Sequence, residues 1–358
     1  MKFLRLAFYV MIAQLVLSGC AGEGVEETSS SSSSEINFDA YLGRNASTRA
    51  GVTNIDSLKG TDFNSGFGVF ARHKHADGSI SDMMVNEHVT WKGDRWGYTN
   101  TQYWPEKGSV DFYAFAPRID GVKLVKKPGT TEDHPTYIEF SSAYSVDLVW
   151  AMPKSITVPT SPASASKVNF QFKHALARLA FDITANQNLE ENGAVIKIEE
   201  VKLYGDSDNE GAFDIKGYLN LAEQGDNGFE GWTIVKDKST RAVYTWTPPG
   251  SEVGGNLKLT ASQLDDTCKE IKNASDSYLC VIPQEKKDNE PFYLQITYTV
   301  QQGTFKEMVK VRKNLLDVHK PFLFEKRKAY VFHLKLSLDP IDFSISTTVE
   351  DFVEVKNE

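Results

Sequence analysis

Few side chains in this 358-residue sequence have both the type and the spacing to do chemistry. Cys268 and Cys280 would close a short loop, and a disulfide there would contribute roughly 3 kcal/mol by constraining the unfolded chain. Sequence does not orient their side chains, so a buried thiol at Cys280 in an apolar strand is an equal alternative. His73 and His75 fall on one face of a strand, but two imidazoles without a third ligand do not make a zinc site. Asp206-Ser207-Asp208-Asn209-Glu210-Gly211 copies the first half of a calcium loop. Its twelfth place is Gly217, where such a loop needs a bidentate carboxylate, so a solvated hairpin turn is expected. Trp91, Trp96, Tyr98, Tyr103 and Trp104 could stack on sugar rings or fill a core, and in an alternating segment the core is the expectation. There is no zincin helix, nucleophile elbow or phosphate-cradling glycine loop. No catalytic residue, metal or cofactor is therefore expected, and the chain reads as a protein that is not an enzyme.

Cys20 stands apart because of what precedes it. Lys2 and Arg5 lead an apolar run from Leu6 to Leu17 that only Gln14 interrupts, followed by small residues. That order is a secretory signal, too short to span a bilayer with margin. Leu17-Ser18-Gly19-Cys20 resembles the bacterial lipobox, in which the thiol is diacylated and the peptide is cut between Gly19 and Cys20. Residues 1–19 are thus expected to be a lipoprotein signal peptide and Cys20 the lipid attachment site. Residues 20–35 carry Glu23, Glu26, Glu27 and a serine run from Ser29 to Ser34, and have almost nothing to bury. They read as a flexible tether.

The elements that must position the rest are strands. From Ile36 onward the hydrophobic period is two, in short runs rich in aromatic and β-branched residues, so the chain is expected to be all-β. The spacing predicts strands over 66–73, 88–92, 95–98, 110–116, 168–172, 176–184, 194–204, 242–247, 278–283, 292–301, 305–311, 329–338 and 341–349. Gly93-Asp94 offers the positive backbone angles of a hairpin turn. A helix over 261–271 and a short turn over 313–317 are the only other elements read. So many short strands pack as two tandem β-sandwiches of transthyretin-like, Greek-key type. Val158 to Ser166, where prolines and small residues replace the alternation, marks a boundary, giving domains of 36–160 and 161–358. Loss of residues 1–19 removes two positive charges and no acid, moving the formal net charge from −9 to −11. So acidic a chain does not suit nucleic acid as a partner.

Several segments together resemble the fimbrillin family, the structural subunits of type V pili and related fimbrial lipoproteins of gut and oral Gram-negative anaerobes. They are Val89 to Tyr98 with Tyr103-Trp104-Pro105 and Val110 to Pro117; Phe172-Lys173-His174-Ala175-Leu176-Ala177-Arg178-Leu179; Leu279-Cys280-Val281-Ile282-Pro283-Gln284; and Ala329 to Leu336 with Thr348-Val349-Glu350-Asp351-Phe352 after it. In order and spacing they cover nearly the whole chain after Cys20.

The resemblance implies an outer-membrane lipoprotein exported to the cell surface. An arginine-specific surface protease then removes an N-terminal strand, and another subunit's C-terminal strand fills the groove. The partners implied are other fimbrillin subunits, that protease, the lipid anchor before maturation, and a host protein or glycan receptor. The residues fit this scheme. Ile36, Phe38, Ala40 and Leu42 alternate onto one face of a strand spanning 36–42. Residues 43–53 behind it are small and polar and carry Arg44 and Arg49, with Arg49-Ala50 the better match to the family's maturation site. Ile341, Phe343, Ile345, Thr347 and Val349 repeat the alternation in a terminal strand expected over 341–355, the candidate donor. A last strand that pairs only within its own domain would show the same pattern. Asp56-Ser57-Leu58 also looks like the O-glycosylation acceptor triplet of these bacteria. The chain is thus expected to be a stalk or minor tip component of a cell-surface fimbria that supports adhesion. An uncleaved anchor subunit and a monomeric glycan-binding lipoprotein are the alternatives.

Overall fold

The computed structural model describes residues 34–42, 55–61, 65–131, 134–142, 147–151, 154–161, 165, 167–185, 194–207, 210–222, 227–246, 257–259, 271–272, 279–287, 289–317, 321–336 and 344–351. The chain opens with β1 (Phe38–Leu42), a five-residue helix α1 (Ile55–Lys59), β2 (Phe67–Lys74), β3 (Ile80–Trp91), β4 (Trp96–Gly97) and β5 (Ser109–Ala116). It continues through β6 (Tyr137–Ser141), β7 (Val149–Ala151), β8 (Lys154–Thr157), β9 (Val168–His174), β10 (Ala177–Ala185), β11 (Ala194–Tyr204) and β12 (Lys216–Asn220). The short strands β13 (Trp232–Ile234), β14 (Tyr244–Trp246), β15 (Leu257–Leu259), β16 (Ile271–Lys272), β17 (Leu279–Val281) and β18 (Gln284–Lys286) follow. Last come β19 (Tyr293–Gln302), β20 (Phe305–Asn314), β21 (Phe322–Phe324), β22 (Lys328–Leu336) and β23 (Ser344–Asp351). The all-β expectation holds.

An eight-stranded sheet runs β1-β9-β7-β5-β2-β3-β4, with β8 beside β7 along the same edge of β5. Strand β5 shows why it lies in the middle. Val110, Phe112, Ala114 and Ala116 enter one core while Tyr113 and Phe115 enter another, so both faces are covered and the sequence is almost continuously apolar. Gly66, at φ +76, lets the chain turn into β2 against the backbone of Val89, where a side chain would collide. Gly93, at φ +100, makes the expected turn between β3 and β4.

In the second half two sheets face each other, β16-β10-β22-β23 with β17 on β10, and β14-β11-β19-β20 with β15 on β11. Leu179, Phe181, Phe332 and Leu334 from the first pack with Ile196, Leu203, Leu294 and Ile296 from the second, as alternation on each strand requires. A three-stranded sheet, β13-β12-β6, packs through Ile138, Phe140 and Leu219 against Phe70, Tyr113 and Phe115 of the eight-stranded sheet. It draws β6 from one side of residue 160 and β12 and β13 from the other, so segments 36–160 and 161–358 share hydrogen bonds as well as a core. Strand β9 pairs with β1 and β7, and the chain passes to β10 in the facing sheets through the fully buried Ala175 and Leu176.

Strand β3 begins at Ile80, well ahead of the expected start at 88. Ser81, Asp82 and Glu87 mask its alternation, and Asn86, at φ +52, kinks it where the β2–β3 register shifts. Most of the helix expected over 261–271 lies outside the described residues, and its last member, Ile271, opens the strand β16 instead. The turn expected over 313–317 is a 3-10 turn at Leu315–Asp317.

Candidate assembly interface

Ile36, Phe38 and Leu42 are 0%, 2% and 1% exposed, Ala40 is half-buried beside them, and Asp39 points outward. Alternation along β1 thus becomes one apolar row on the core of the eight-stranded sheet. Phe38 sits in a cage of four rings. It stacks on Phe170 at 5.7 Å, and meets Phe67 at 6.5 Å, Phe112 at 6.1 Å and Tyr98 at 5.4 Å between centroids. Burial of Ile36, Phe38 and Leu42 contributes on the order of 6 kcal/mol before ordering costs.

The backbone of this segment is held at both ends. Strand β1 runs parallel to β9, with Phe38 opposite Val168 and Leu42 opposite Phe172, and the Val168 N–H donates to the Asn37 carbonyl at 2.8 Å. Just upstream, the Ile36 N–H donates to the Gln102 carbonyl at 2.9 Å and the Trp104 N–H to the Ser34 carbonyl at 3.0 Å. Tyr98 closes the arrangement. Its hydroxyl donates to the Ile36 carbonyl at 2.7 Å and accepts from the Gln102 N–H at 3.2 Å. Burial pushes this phenol up to about 12, with the Gln102 backbone pulling the other way.

The C-terminal strand is held differently. Strand β23 pairs antiparallel with β22, Ile345 opposite Leu334 and Val349 opposite Tyr330, and forms the edge of its sheet. Ile345 and Thr347 are half-buried, Ser346 is exposed, and Val349 is 53% exposed. Beside it runs an open groove of about 470 Å³ whose walls include Phe322, Leu323, Tyr330, Ile345 and Val349. Ile345 packs against the core of the facing sheets, while Val349 stands open. Ile341 and Phe343, the other members of the row, lie outside the described residues, as do Gly19, Cys20, Arg44, Arg49 and Ala50.

The remaining candidates separate cleanly. Trp96 and Trp104 are 3% and 4% exposed in the core beneath β1, Trp91 and Tyr98 are half-buried, and Tyr103 alone is open. The aromatic cluster therefore forms part of the socket of the first strand and presents no flat sugar platform. The rings of His73 and His75 lie 3.9 Å apart, and their Nε2 atoms meet the Lys107 carbonyl and the Ser81 hydroxyl. Among the described residues no three His, Cys, Asp or Glu side chains converge as a metal site. In the acidic turn the Glu210 N–H donates to the Ser207 carbonyl at 2.9 Å, while Asp208 and Asn209 lie outside the described residues. Cys280, on β17, has no disulfide partner among the described residues, and burial raises its thiol well above its ordinary value; Cys268 lies outside the described residues. Ser57 is exposed on α1, next to the buried Leu58.

Sequence reasoning missed the parts of the socket that come from distant segments. Gln102 and the Tyr98 hydroxyl carry no signal of their own, because Ile36, 62 residues from Tyr98 in sequence, decides their role.

Comparison with known proteins agrees with this architecture. A sequence-family model described as fimbrillin-like matches residues 48–351. The chain is 28% identical over 190 residues to Fimbrium subunit Fim1C of Phocaeicola vulgatus, a stretch covering 48% of this chain and 49% of that protein. It thus spans about half the length of the curated relative it matches. The crystal structure of a fimbrial protein from Bacteroides vulgatus superposes with a TM-score of 0.58 at 20% identity, covering 89% of this chain and 99% of that one. At that identity the likeness speaks for the fold.

Proposed function

This chain belongs to the fimbrillin-like family, and we propose that it is a structural subunit, of stalk or minor tip type, of a cell-surface fimbria that supports adhesion. It is delivered as a lipoprotein through Cys20. Cleavage between Arg49 and Ala50 then releases the lipid, the tether and β1 together, and a strand from another fimbrillin subunit takes the place of β1.

The observation that carries this reading is the mounting of the first strand. It lies at the end of an eight-stranded sheet, inserts an apolar row into a socket contributed by β2, β5, β9 and the 98–104 loop, and is followed by the arginine-bearing segment 43–53. Its departure would leave Phe67, Phe112 and Phe170 facing water and the β9 edge unpaired, a surface that favours refilling by an alternating strand. N-terminal sequencing of protein sheared from the cell surface tests the proposal, with Ala50 expected as the first residue. A Cys20 start alone, with no SDS-stable ladder of multimers, would replace the subunit reading with that of an uncleaved lipoprotein.

A further inference from the structure

The socket of β1 has one position walled by aromatic rings. Ala40 is only half-buried, so a larger side chain there can extend outward, whereas Phe38 is 2% exposed and ringed by Phe67, Tyr98, Phe112 and Phe170. A strand that replaces β1 must fill this cage, because an aliphatic gap there forfeits the ring contacts and leaves a cavity.

The chain carries the matching segment twice. Ile36-Asn37-Phe38-Asp39 near the start is answered by Ile341-Asp342-Phe343-Ser344 near the end, an isoleucine and a phenylalanine two residues apart with polar residues between and after them. Aligned on the phenylalanines, Ile345 falls at the place of Ala40 and Thr347 at that of Leu42. The alternation alone permits slips of two residues in either direction, since every such slip keeps the apolar face inward. Only one register puts an aromatic ring in the cage.

We propose that the cage around Phe38 sets the register of assembly, taking Phe343 from a second copy of this chain, with the incoming strand parallel to β9. This rests on the strand-exchange reading above. In that register Phe343 lies opposite Val168 and Ser344 opposite Asn169, the places held by Phe38 and Asp39. To reach it the donor exchanges its ladder with β22 for one with β9. None of the β23 side chains Ile345, Ser346, Thr347 and Val349 is fully buried in its own sheet, and Val349 is 53% exposed.

Paired cysteines test the register in assembled, surface-sheared protein. Asp39 and Asn169 are both exposed neighbours on adjacent strands, a geometry that a disulfide can span. With Ser344→Cys and Asn169→Cys in one chain, every subunit carries both a donor and an acceptor cysteine, so oxidation is expected to give covalent multimers that survive boiling without reductant. Their yield should exceed by about tenfold that from Ser346→Cys with Asn169→Cys, which reports a two-residue slip, with the chain lacking introduced cysteines as background. Preferential linking of 346 to 169, or polymers that link at neither pair, would overturn the register and leave strand exchange standing. A link formed within a single chain would show that the strand completes its own groove, and would overturn the second-copy assignment. Absence of polymers in the unmodified protein would remove the proposed function and this inference with it. Phe343→Tyr should polymerise and Phe343→Ser should not; equal polymer from both would show that the cage does not select.

Discussion

The Tyr98 hydroxyl donates a 2.7 Å hydrogen bond to the carbonyl of Ile36, a residue that is itself fully buried. Tyr98→Phe keeps the ring against Phe38 but deprives that carbonyl of its phenol donor, a loss of about 1–2 kcal/mol. The expected result in the uncleaved chain is a lower urea midpoint, with hydrogen exchange accelerating first at residues 36–42. Unchanged exchange there would mean that the phenol does not hold the strand.

The same phenol, with Tyr244 and Tyr330, predicts an alkaline limit. Burial pushes all three up to about 12 from an ordinary value of 10.0. Their folded values lie above their unfolded ones, so the associated stability is complete below pH 10 and is lost as pH rises through about 12. Unfolding free energy measured from pH 9 to 12 should fall steeply above 10, and less steeply in Tyr98→Phe.

Phe38→Ala empties the cage without touching the backbone pairing of β1. Truncating a buried phenylalanine costs about 3–5 kcal/mol when the walls cannot collapse, and four rings from β2, β5, β9 and the 98–104 loop have little freedom to do so. Equilibrium unfolding of the uncleaved chain should show that loss. Once β1 has been cut away and has left, parent and variant should be equally stable, which locates the effect in the strand.

Lys286 is 1% exposed, its Nζ has no hydrogen-bond partner among the described residues, and it lies 5.8 Å from the Phe213 ring. Burial lowers it to about 8 from 10.5. A folded value below the unfolded one means that stability is lost as pH falls from 10.5 to about 8, so at neutral pH the buried charge is a cost. Lys286→Met should therefore raise the unfolding free energy at pH 7 by about 1–3 kcal/mol, and the gain should shrink toward pH 10. A parent more stable than the variant at pH 7 would show that attraction to Asp214 and Glu290 outweighs desolvation.

Cys280 should resist alkylation in the folded protein, because burial keeps its thiol protonated. After unfolding without reductant it should be tagged fully by iodoacetamide, as read by peptide mass. Tagging that requires reductant would mean that Cys280 is in a disulfide.

What could be read from the sequence was local in origin. The period of two marked most strands of five residues or more, because each strand's own alternation records which face is covered. It failed at the short strands β6, β12, β18 and β21, whose burial comes from neighbours remote in the chain, while β1, β4, β14 and β17, equally short, fell within the expected ranges. It also failed over the first part of β3, where polar residues interrupt the pattern around the bulge near Asn86.

The sequence by itself determined the all-β class, the apolar row of the first strand and its echo at 341–349, since side-chain alternation needs no knowledge of the partner. Only the tertiary structure decided what that row meets. The four rings around Phe38 come from residues 67, 98, 112 and 170, and Tyr98 reaches across 62 positions to the Ile36 carbonyl. Burial and hydrogen bonding depend on which distant segments converge. The demand for an aromatic ring at one position of the strand therefore became visible only once the sheet had closed around it.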